Sequence, residues 1–328
     1  MKRLCLFAGY SQDGLMEDYV IYYVRELAKL ADVYYMADCE MPKSELDKLT
    51  PHVISAQAFR HCKYDFGSWG KLYSHLQSIL NKYDEVILTN DSIFGPLYSL
   101  ENYFEKMSFS DCSAWSLCYN RFMMSFFVVL KPDIFLEKWF ADFLTGIRPG
   151  IDKNNIVWLY ESGMTSLIEQ HGKNIDAVFK GNDIKLLYRA QKAFIRNGLK
   201  NVPVHIRLLT RWRTNKIRLY SDDYFILFLL KFPFIKKQAF SFNDNHFHQL
   251  APTFIKKYTD YNYGLIEKSV TLNHLYPKDV KCLKYKLKRA IQNFFFEKRF
   301  KGEFYVYRIC RITVWKIRRP VPDKTQLD

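Results

Sequence analysis

The feature that most restricts this chain is an alternation, over residues 4–88, of short apolar segments with segments of helical spacing. The apolar segments have the length of buried strands, whereas the longer segments repeat apolar residues every three or four positions, as helices do. This order predicts an α/β fold with a mainly parallel sheet flanked by helices. The predicted strands are Leu4–Ala8, Val33–Met36, His52–Ser55 and Glu85–Leu88, and the predicted helices cover 16–31 and 68–81.

The pattern changes after residue 95, where strands and helices no longer alternate one for one. A short helix is predicted first, then two strands that are near enough in sequence to pair antiparallel. Two longer helical segments follow. These elements are 99–107, Ser113–Leu117, Ser125–Leu130, 132–143 and 155–171.

A basic tail, residues 276–328, follows a larger domain that we assign to 1–275. Residues 281–319 hold 13 Lys and Arg against two Glu, a net charge of +11, whereas residues 1–280 carry only +5. Aromatic residues interleave with these cations, as in basic amphipathic segments that bind anionic bilayer surfaces. We therefore expect a helical extension that associates with the membrane surface. The alternative is a solvated basic helix packed on the domain.

Cations mixed with aromatic residues also suit RNA or DNA, so a nucleic-acid-binding protein is a rival interpretation. That function requires positive charge on the binding face of the folded domain. Most of the charge lies instead in residues 281–319. No nucleic-acid partner is therefore expected.

Cysteine usage and the first residues predict a cytoplasmic protein. The seven Cys are scattered and include no C-x-x-C pair, which favours free thiols in a reducing compartment. The apolar run after Lys2 and Arg3 stops before Ser11, too soon for a secretory signal. The longest later run, Phe225 to Leu230, is far shorter than the ~20 residues of a membrane span.

The first candidate site is the segment Asn90-Asp91-Ser92, which directly follows the predicted strand Glu85–Leu88. Ligands of parallel sheets bind beyond the carboxyl ends of the strands. A carboxylate there, beside a second oxygen ligand, suits Mg²⁺ or Mn²⁺, which would neutralise a nucleotide diphosphate as a leaving group. The alternative is an ordinary Asx turn.

The second candidate site is Tyr64-Asp65-Phe66-Gly67, just before a predicted helix. Asp65 could accept hydrogen bonds from a base or a ribose while an aromatic ring stacks, and Gly67 permits close approach of the backbone. In the alternative interpretation, Ser68 caps the helix and Phe66 belongs to the core.

The third candidate is Glu161, which lies in an apolar and aromatic helical segment. Partial burial there would raise its pKa and suit it to act as a general base. The alternative is an exposed helix glutamate, as most glutamates are. The chain has neither G-x-G-x-x-G nor G-x-x-x-x-G-K-[ST], which argues against hydride-transfer and P-loop functions.

Taken together, the segments 64–69 and 83–97 resemble the rhamnan synthesis protein F family, bacterial enzymes of polysaccharide and O-antigen assembly that are regarded as glycosyltransferases. The resemblance implies a GT-A-like, Rossmann-related fold, with a nucleotide-binding part over about 1–110 and an acceptor part over about 111–275. It covers roughly residues 3–275 and continues in 125–130, 160–165, 232–237 and 261–266.

The resemblance also implies roles for the candidate residues. Asp91, with Asn90 or Ser92, takes the place of a metal-binding D-x-D, while Asp65 and its neighbours contact the donor nucleotide. Glu161 matches the base of an inverting hexosyltransferase. The family name suggests dTDP-rhamnose as donor and a growing, lipid-linked polysaccharide as acceptor, at the inner face of the cell membrane.

The chain departs from the family pattern at two places. His61-Cys62-Lys63 stands where the family has Asn-x-Gly, and Met123-Met124 stands where it has His-Gln. Together with the half-acidic Asn90-Asp91 pair, these departures leave a catalytically silent assembly subunit as an alternative function.

Overall fold

The structure is a computed structural model that describes two compact units, Met1–Tyr276 and Pro277–Asp328. The described residues are 1–119, 122–180, 230–241, 245–275, 296–301, 304–309 and 312–318.

Seven strands of the first unit form one sheet in the order β3-β2-β1-β4-β7-β6-β8. All neighbours pair parallel except β7, which is antiparallel to both β4 and β6. The strands are β1 (Arg3–Gly9), β2 (Asp32–Ala37), β3 (Ser55–Ala58), β4 (Glu85–Asn90), β6 (Ala114–Tyr119), β7 (Phe127–Leu130) and β8 (Ile175–Lys180), and a separate pair consists of β5 (Ile93–Phe94) and β9 (Ile235–Lys236).

Helices cover both faces of this sheet. Their bounds are α1 (Asp18–Ala28), α2 (Lys43–Leu46), α3 (Tyr64–Leu76), α4 (Glu101–Ser108), α5 (Pro132–Phe135), α6 (Lys138–Thr145), α7 (Lys153–Ile156), α8 (Gly163–Gln170), α9 (Asn245–Tyr258) and α10 (Tyr263–Leu272), and a π-helical turn, Val157–Ser162, joins α7 to α8.

The central strand β1 shows why both faces must be covered. Leu4 and Leu6 are fully buried in a core shared with α3 and α6, whereas Phe7 is fully buried in a second core shared with α1. Successive side chains of a strand point to opposite faces, so a strand that is apolar at every position needs a layer on each side. The predicted α/β class, with a mainly parallel sheet flanked by helices, is confirmed.

Several element boundaries differ from the predictions; for example, 132–143 forms two helices, α5 and α6, instead of one. Two of the differences have a clear tertiary cause. The third strand was expected at His52–Ser55 but covers Ser55–Ala58, because its backbone pairs with β2 from Ser55 onward while the apolar Ile54 is 62% exposed. The helix predicted from residue 68 begins at Tyr64, because the Tyr64 N–H donates to the carboxylate of Asp38, directly after β2. In both cases the partner, β2 for the strand and Asp38 for the helix, is distant in the sequence.

The predicted helical form of the tail is wrong for the residues that the structure describes. These form a three-stranded antiparallel sheet of β10 (Phe296–Lys301), β11 (Phe304–Ile309) and β12 (Ile312–Arg318). Only two residues separate successive strands, the usual length of a hairpin connection. Aromatic and β-branched residues are also enriched in these segments, which favours strands over a helix.

Within the described part of the chain, no helix combines the length and apolar character needed to cross a membrane. The five cysteines found there are all free thiols, namely Cys5, Cys39, Cys62, Cys112 and Cys118.

Candidate functional site

The turn that follows β4 lies at the carboxyl edge of the sheet and is tied to two other elements. Asn90 and Asp91 are buried, with 2% and 9% of their surface exposed. Oδ2 of Asp91 accepts a hydrogen bond from the Tyr10 N–H at 2.8 Å, directly after β1. Tyr19 of α1 donates its hydroxyl to the Asp91 carbonyl at 2.7 Å. Tyr10 therefore belongs to the site, although sequence reasoning missed it.

Asn90 joins the first two predicted segments. Its Nδ2 donates to Oδ2 of Asp65 at 2.8 Å. Its Oδ1 accepts from the N–H of Ser92 at 3.1 Å and from the Ser92 hydroxyl at 2.6 Å. The structure thus brings Asp65, Asn90, Asp91 and Ser92 together, as the order of the two segments along the sheet predicted.

The two carboxylates of this site share an unfavourable environment for negative charge. Burial raises the pKa of Asp91 to about 6, against the opposing effects of Lys237 and the Tyr10 N–H. Burial and the charge of Asp91 raise the pKa of Asp65 to about 7, although Lys236 lowers it. Carboxyl groups held in this way bind a proton or a cation readily near neutral pH.

Two adjacent lysines reach this turn from a distant part of the chain. Lys236 ends β9, which pairs antiparallel with β5, and its Nζ donates to Ser92 Oγ at 2.8 Å. Lys237 donates to the Tyr19 hydroxyl at 2.9 Å, and its Nζ lies 3.4 Å from Oε1 of Glu17. In the sequence, these lysines belong to the resembling segment 232–237, but no local pattern connects them with Ser92.

Asp38, directly after β2, is a second residue that sequence reasoning missed. Its carboxylate accepts hydrogen bonds from four successive backbone N–H groups at the start of α3, at 2.8–3.0 Å. Burial would raise the pKa of Asp38, but these N–H groups and the nearby His61 hold it below its usual value. The loop that wraps the carboxylate places Cys62 and Tyr64 at φ of 58° and 57°, a region that non-glycine residues seldom adopt.

The remaining residues of the YDFG segment have different environments. Tyr64 is 41% exposed at the start of α3, next to Asp65. Phe66 is 1% exposed, and the centroid of its ring lies 4.8 Å from that of Trp69, so it belongs to the core. A Cβ on Gly67 would lie 2.2 Å from the Cβ of Lys63. The close approach that Gly67 allows is therefore to the preceding loop.

Glu161 lies in the π-helical turn between α7 and α8 and is partly buried. Its charge is one of the causes that raise the pKa of Asp65, so the two carboxylates are near enough to interact. π-Helical turns inside α-helices are frequent at functional sites. The structure thus brings the third candidate near Asp65 of the second.

The donor atoms at this site fit a divalent cation that is carried by a diphosphate. Mg²⁺ is usually bound through one or two carboxylates together with substrate phosphates and water. Asp91 and Asp65 supply two carboxylates, whereas Oδ1 of Asn90 already accepts two hydrogen bonds from Ser92. Throughout the described ranges, no group of three or more His, Cys, Asp and Glu residues is arranged to hold a metal by itself.

Two cavities lie away from Asp65 and Asp91. One of about 440 Å³ lies between α3 and α6 and is lined by Gly67, Lys71 and His75, among others. Another of about 400 Å³ is lined by Tyr22, Tyr261 and residues around them. Neither is lined by Asp65 or Asp91, so we assign no donor contact to either cavity.

Comparison with known proteins gives one family. The model of the rhamnan synthesis protein F family matches residues 35–307. No curated protein matches the chain. The solved structures that are similar to it are distant, and at their identities and TM-scores none identifies a substrate or partner of this chain.

Three of these structures show how low the similarity is. The glycosyltransferase GlyE of Streptococcus pneumoniae TIGR4 has 11% identity and a TM-score of 0.39, over 86% of this chain and 67% of that one. Mouse xyloside xylosyltransferase 1 has 8% identity and a TM-score of 0.30, over 54% of this chain and 85% of that one. TarS of S. aureus has 10% identity and a TM-score of 0.34, over 94% of this chain and 59% of that one.

Proposed function

Because the chain belongs to the rhamnan synthesis protein F family, we propose that it is a glycosyltransferase that moves a sugar from a nucleotide-diphosphate donor to a bacterial surface polysaccharide. The observation that carries this proposal is the pair of carboxylates, Asp65 and Asp91, joined through Asn90 at the carboxyl edge of the sheet. Their raised pKa values favour a site that receives a cation together with an anionic ligand.

The proposed reaction is a direct, inverting displacement at the anomeric carbon. The acceptor oxygen forms a bond to that carbon while the bond to the diphosphate oxygen breaks, with oxocarbenium character in the transition state. Glu161 takes the proton of the acceptor hydroxyl. Asp65 and the exposed Tyr64 contact the nucleoside of the donor.

A divalent cation, Mg²⁺ or Mn²⁺, would supply positive charge to the diphosphate when it is bound. Asp91 would hold it, with Asp65 as second carboxylate, which Nδ2 of Asn90 links to the same turn. The protein's own part is to keep these oxygens together, through the bonds from Tyr10 and Tyr19 to Asp91.

The sugar, acceptor and location extend the same proposal. The family name favours rhamnose from dTDP-rhamnose and a lipid-linked glycan at the inner membrane face. In the second unit, Phe300, Tyr305 and Ile317 pair across the three strands. Lys301, Phe304 and Arg318 form the neighbouring row of paired residues. Cations in this sheet would favour an anionic membrane surface, so we propose peripheral association.

The proposal is tested with the full chain and nucleotides. Thermal unfolding is measured with dTDP, UDP and GDP, each with Mn²⁺ and with EDTA. We expect one nucleotide to raise the Tm, and more so with Mn²⁺, because a ligand that binds only the folded state stabilises it. The corresponding nucleotide sugars are then tested for transfer to a polysaccharide acceptor.

The control is the variant Glu161→Gln, which removes the proposed base and leaves the donor site in place. It should keep the nucleotide-induced rise in Tm and lose transfer. Binding of nucleotide without transfer by the wild type would instead indicate the catalytically silent subunit. Absence of stabilisation by all three nucleotides would refute the glycosyltransferase assignment.

A further inference from the structure

We infer that the Lys236 ammonium binds the diphosphate of the donor and stabilises it as a leaving group, an inference that rests on the proposed function. Nζ of Lys236 lies 2.8 Å from Ser92 Oγ. Ser92 Oγ donates to Asn90 Oδ1 at 2.6 Å, and Asn90 in turn donates to Asp65. The ammonium therefore lies at the rim of the carboxylate pair, on the turn that follows β4.

The backbone that carries Lys236 is firmly held. β9 pairs with β5, and the N–H of Lys237 donates to the Ser92 carbonyl at 2.9 Å. Phe234, at the start of this segment, is 1% exposed and packs edge-on against Tyr23 with ring centroids 5.0 Å apart. Because the strand is anchored on both sides, the ammonium is positioned before any ligand arrives, which strengthens its effect on developing charge.

The charge balance of the site also favours a phosphate ligand for this lysine. Asp65 and Asp91 are negative once deprotonated and would repel a diphosphate that approached them alone. Lys236 offsets this repulsion, and its charge lowers the pKa that burial and Asp91 raise at Asp65. A lysine ammonium is a compact cation that binds phosphate as a point charge. Its Nζ also lies 5.2 Å from the centre of the Phe126 ring.

The neighbouring Lys237 has a different role. Its Nζ lies 3.4 Å from Oε1 of Glu17 and 2.9 Å from the Tyr19 hydroxyl, and Tyr19 donates to the Asp91 carbonyl. These contacts attach the turn after β4 to α1. Lys237 thus positions the turn, whereas Lys236 faces the hydroxyl of Ser92 at its tip.

The proposed contact acts on the bond that breaks. When the bond between the anomeric carbon and the diphosphate oxygen breaks, both electrons stay on that oxygen. Negative charge on the diphosphate is greater in the transition state than in the bound donor. An ammonium in hydrogen-bond contact with the diphosphate therefore stabilises the transition state more than the ground state.

The experiment compares nucleoside diphosphate and monophosphate binding to the full chain by isothermal titration calorimetry, in Mg²⁺ and in EDTA. The base is whichever of dTDP, UDP and GDP stabilises the wild type most. We expect Lys236→Met to weaken diphosphate binding about 10- to 100-fold, the range for a lost charged hydrogen bond. Monophosphate binding should weaken less than about threefold, because the missing contact is to the second phosphate.

Three further variants serve as controls. Lys236→Arg keeps the charge and should retain most of the preference for diphosphate. Lys236→Gln removes the charge but keeps a polar contact with Ser92, and it gives the same information if the Met variant fails to fold. Lys268→Met removes one exposed cation of α10, which pairs with Asp18 at 2.6 Å, and should bind both nucleotides as the wild type does.

Each result decides for or against the inference. Selective loss of diphosphate affinity in the Met and Gln variants, with retention in Lys236→Arg, supports it. An equal loss for both nucleotides, or no loss in either neutral variant, overturns it while the proposed function stands. A wild type that binds none of the three nucleotides overturns the proposed function, and the inference with it.

Discussion

The ends of β2 and β4 differ in how the protein treats a carboxylate. Asp38 follows β2 and Asp91 follows β4, in the same parallel region of the sheet, and both are buried. Asp38 accepts four backbone hydrogen bonds and its pKa is lowered, against the effect of burial. Burial raises the pKa of Asp91 to about 6, and its side chain accepts one backbone bond from Tyr10.

The difference separates a structural carboxylate from one suited to a ligand. The N–H groups around Asp38 satisfy its charge, so it organises the start of α3 and has little affinity left for a cation. Asp91, with Asp65 beside it, keeps an unfavourable charge that a cation or a proton relieves. Position at a strand end is therefore not enough to identify a ligand-binding aspartate. Its role depends on how many N–H groups donate to its carboxylate in the folded protein.

The largest effect is expected for Asp91→Asn, which keeps an oxygen for the Tyr10 N–H and removes the charge. Transfer should fall about 100- to 1000-fold, in the range seen when one group that stabilises transition-state charge is lost. The Tm at pH 8 should be unchanged or higher, since burial disfavours the carboxylate. The measurements are initial rates with the sugar of whichever nucleotide stabilises the wild type most, and calorimetric melting. A variant that unfolds while Asp38 variants do not would reverse the comparison.

The second effect is expected for Asp38→Ala, which leaves the N–H groups of His61, Cys62, Lys63 and Tyr64 without their acceptor. We expect a loss of about 3 kcal/mol of unfolding free energy, and a Tm lower by about 5–10 °C. Scanning calorimetry measures the change in Tm and in unfolding free energy.

The matched control for Asp38→Ala is Asp38→Asn, which keeps one acceptor oxygen and should fall between the alanine variant and the wild type. Its deficit should shrink as the pH falls below about 4, because a lowered pKa contributes stability that is lost on protonation. An Asp38→Ala variant as stable as the wild type would remove the structural half of the comparison.

The smallest effect is expected for Asp65→Asn, measured in EDTA. The raised pKa of Asp65, about 7, means that the stability it contributes is complete below pH 4 and is lost as the pH rises through 7. The variant should therefore match the wild type near pH 4 and exceed it by about 1–2 kcal/mol at pH 8, after allowance for partial exposure. Melting curves from pH 4 to pH 8 test the sign; equal stability at both ends would contradict it.

Local patterns predicted much of the framework and part of the site. Leu4–Ala8 and Val86–Leu88 are apolar at every position and lie in the neighbouring central strands β1 and β4. Asp91 follows β4 because the apolar run ends there, and Asp65 lies one helix earlier. Their contact through Asn90 therefore follows from the order of elements.

The incorrect predictions concern elements whose contact partner is remote in the sequence, or sequence patterns that have two structural interpretations. The start of α3 was predicted at Ser68 as a cap, whereas Asp38 caps it from the end of β2. The alternation of basic and aromatic residues at 304–309 predicts part of a helix, although their β-branched and aromatic content also suits the strand that forms. Lys236 shows no local signal for its contact with Ser92.

The sequence by itself determined the α/β class, the central strands and the position of Asp91 at a strand end, because periodicity and burial act over a few neighbouring residues. Only the tertiary structure decided which buried aspartate is satisfied and which is suited to a ligand, because that depends on donors from other elements. It also decided that Lys236 meets Ser92, 144 residues earlier in the chain. That contact depends on the pairing of β9 with β5, which no local pattern specifies.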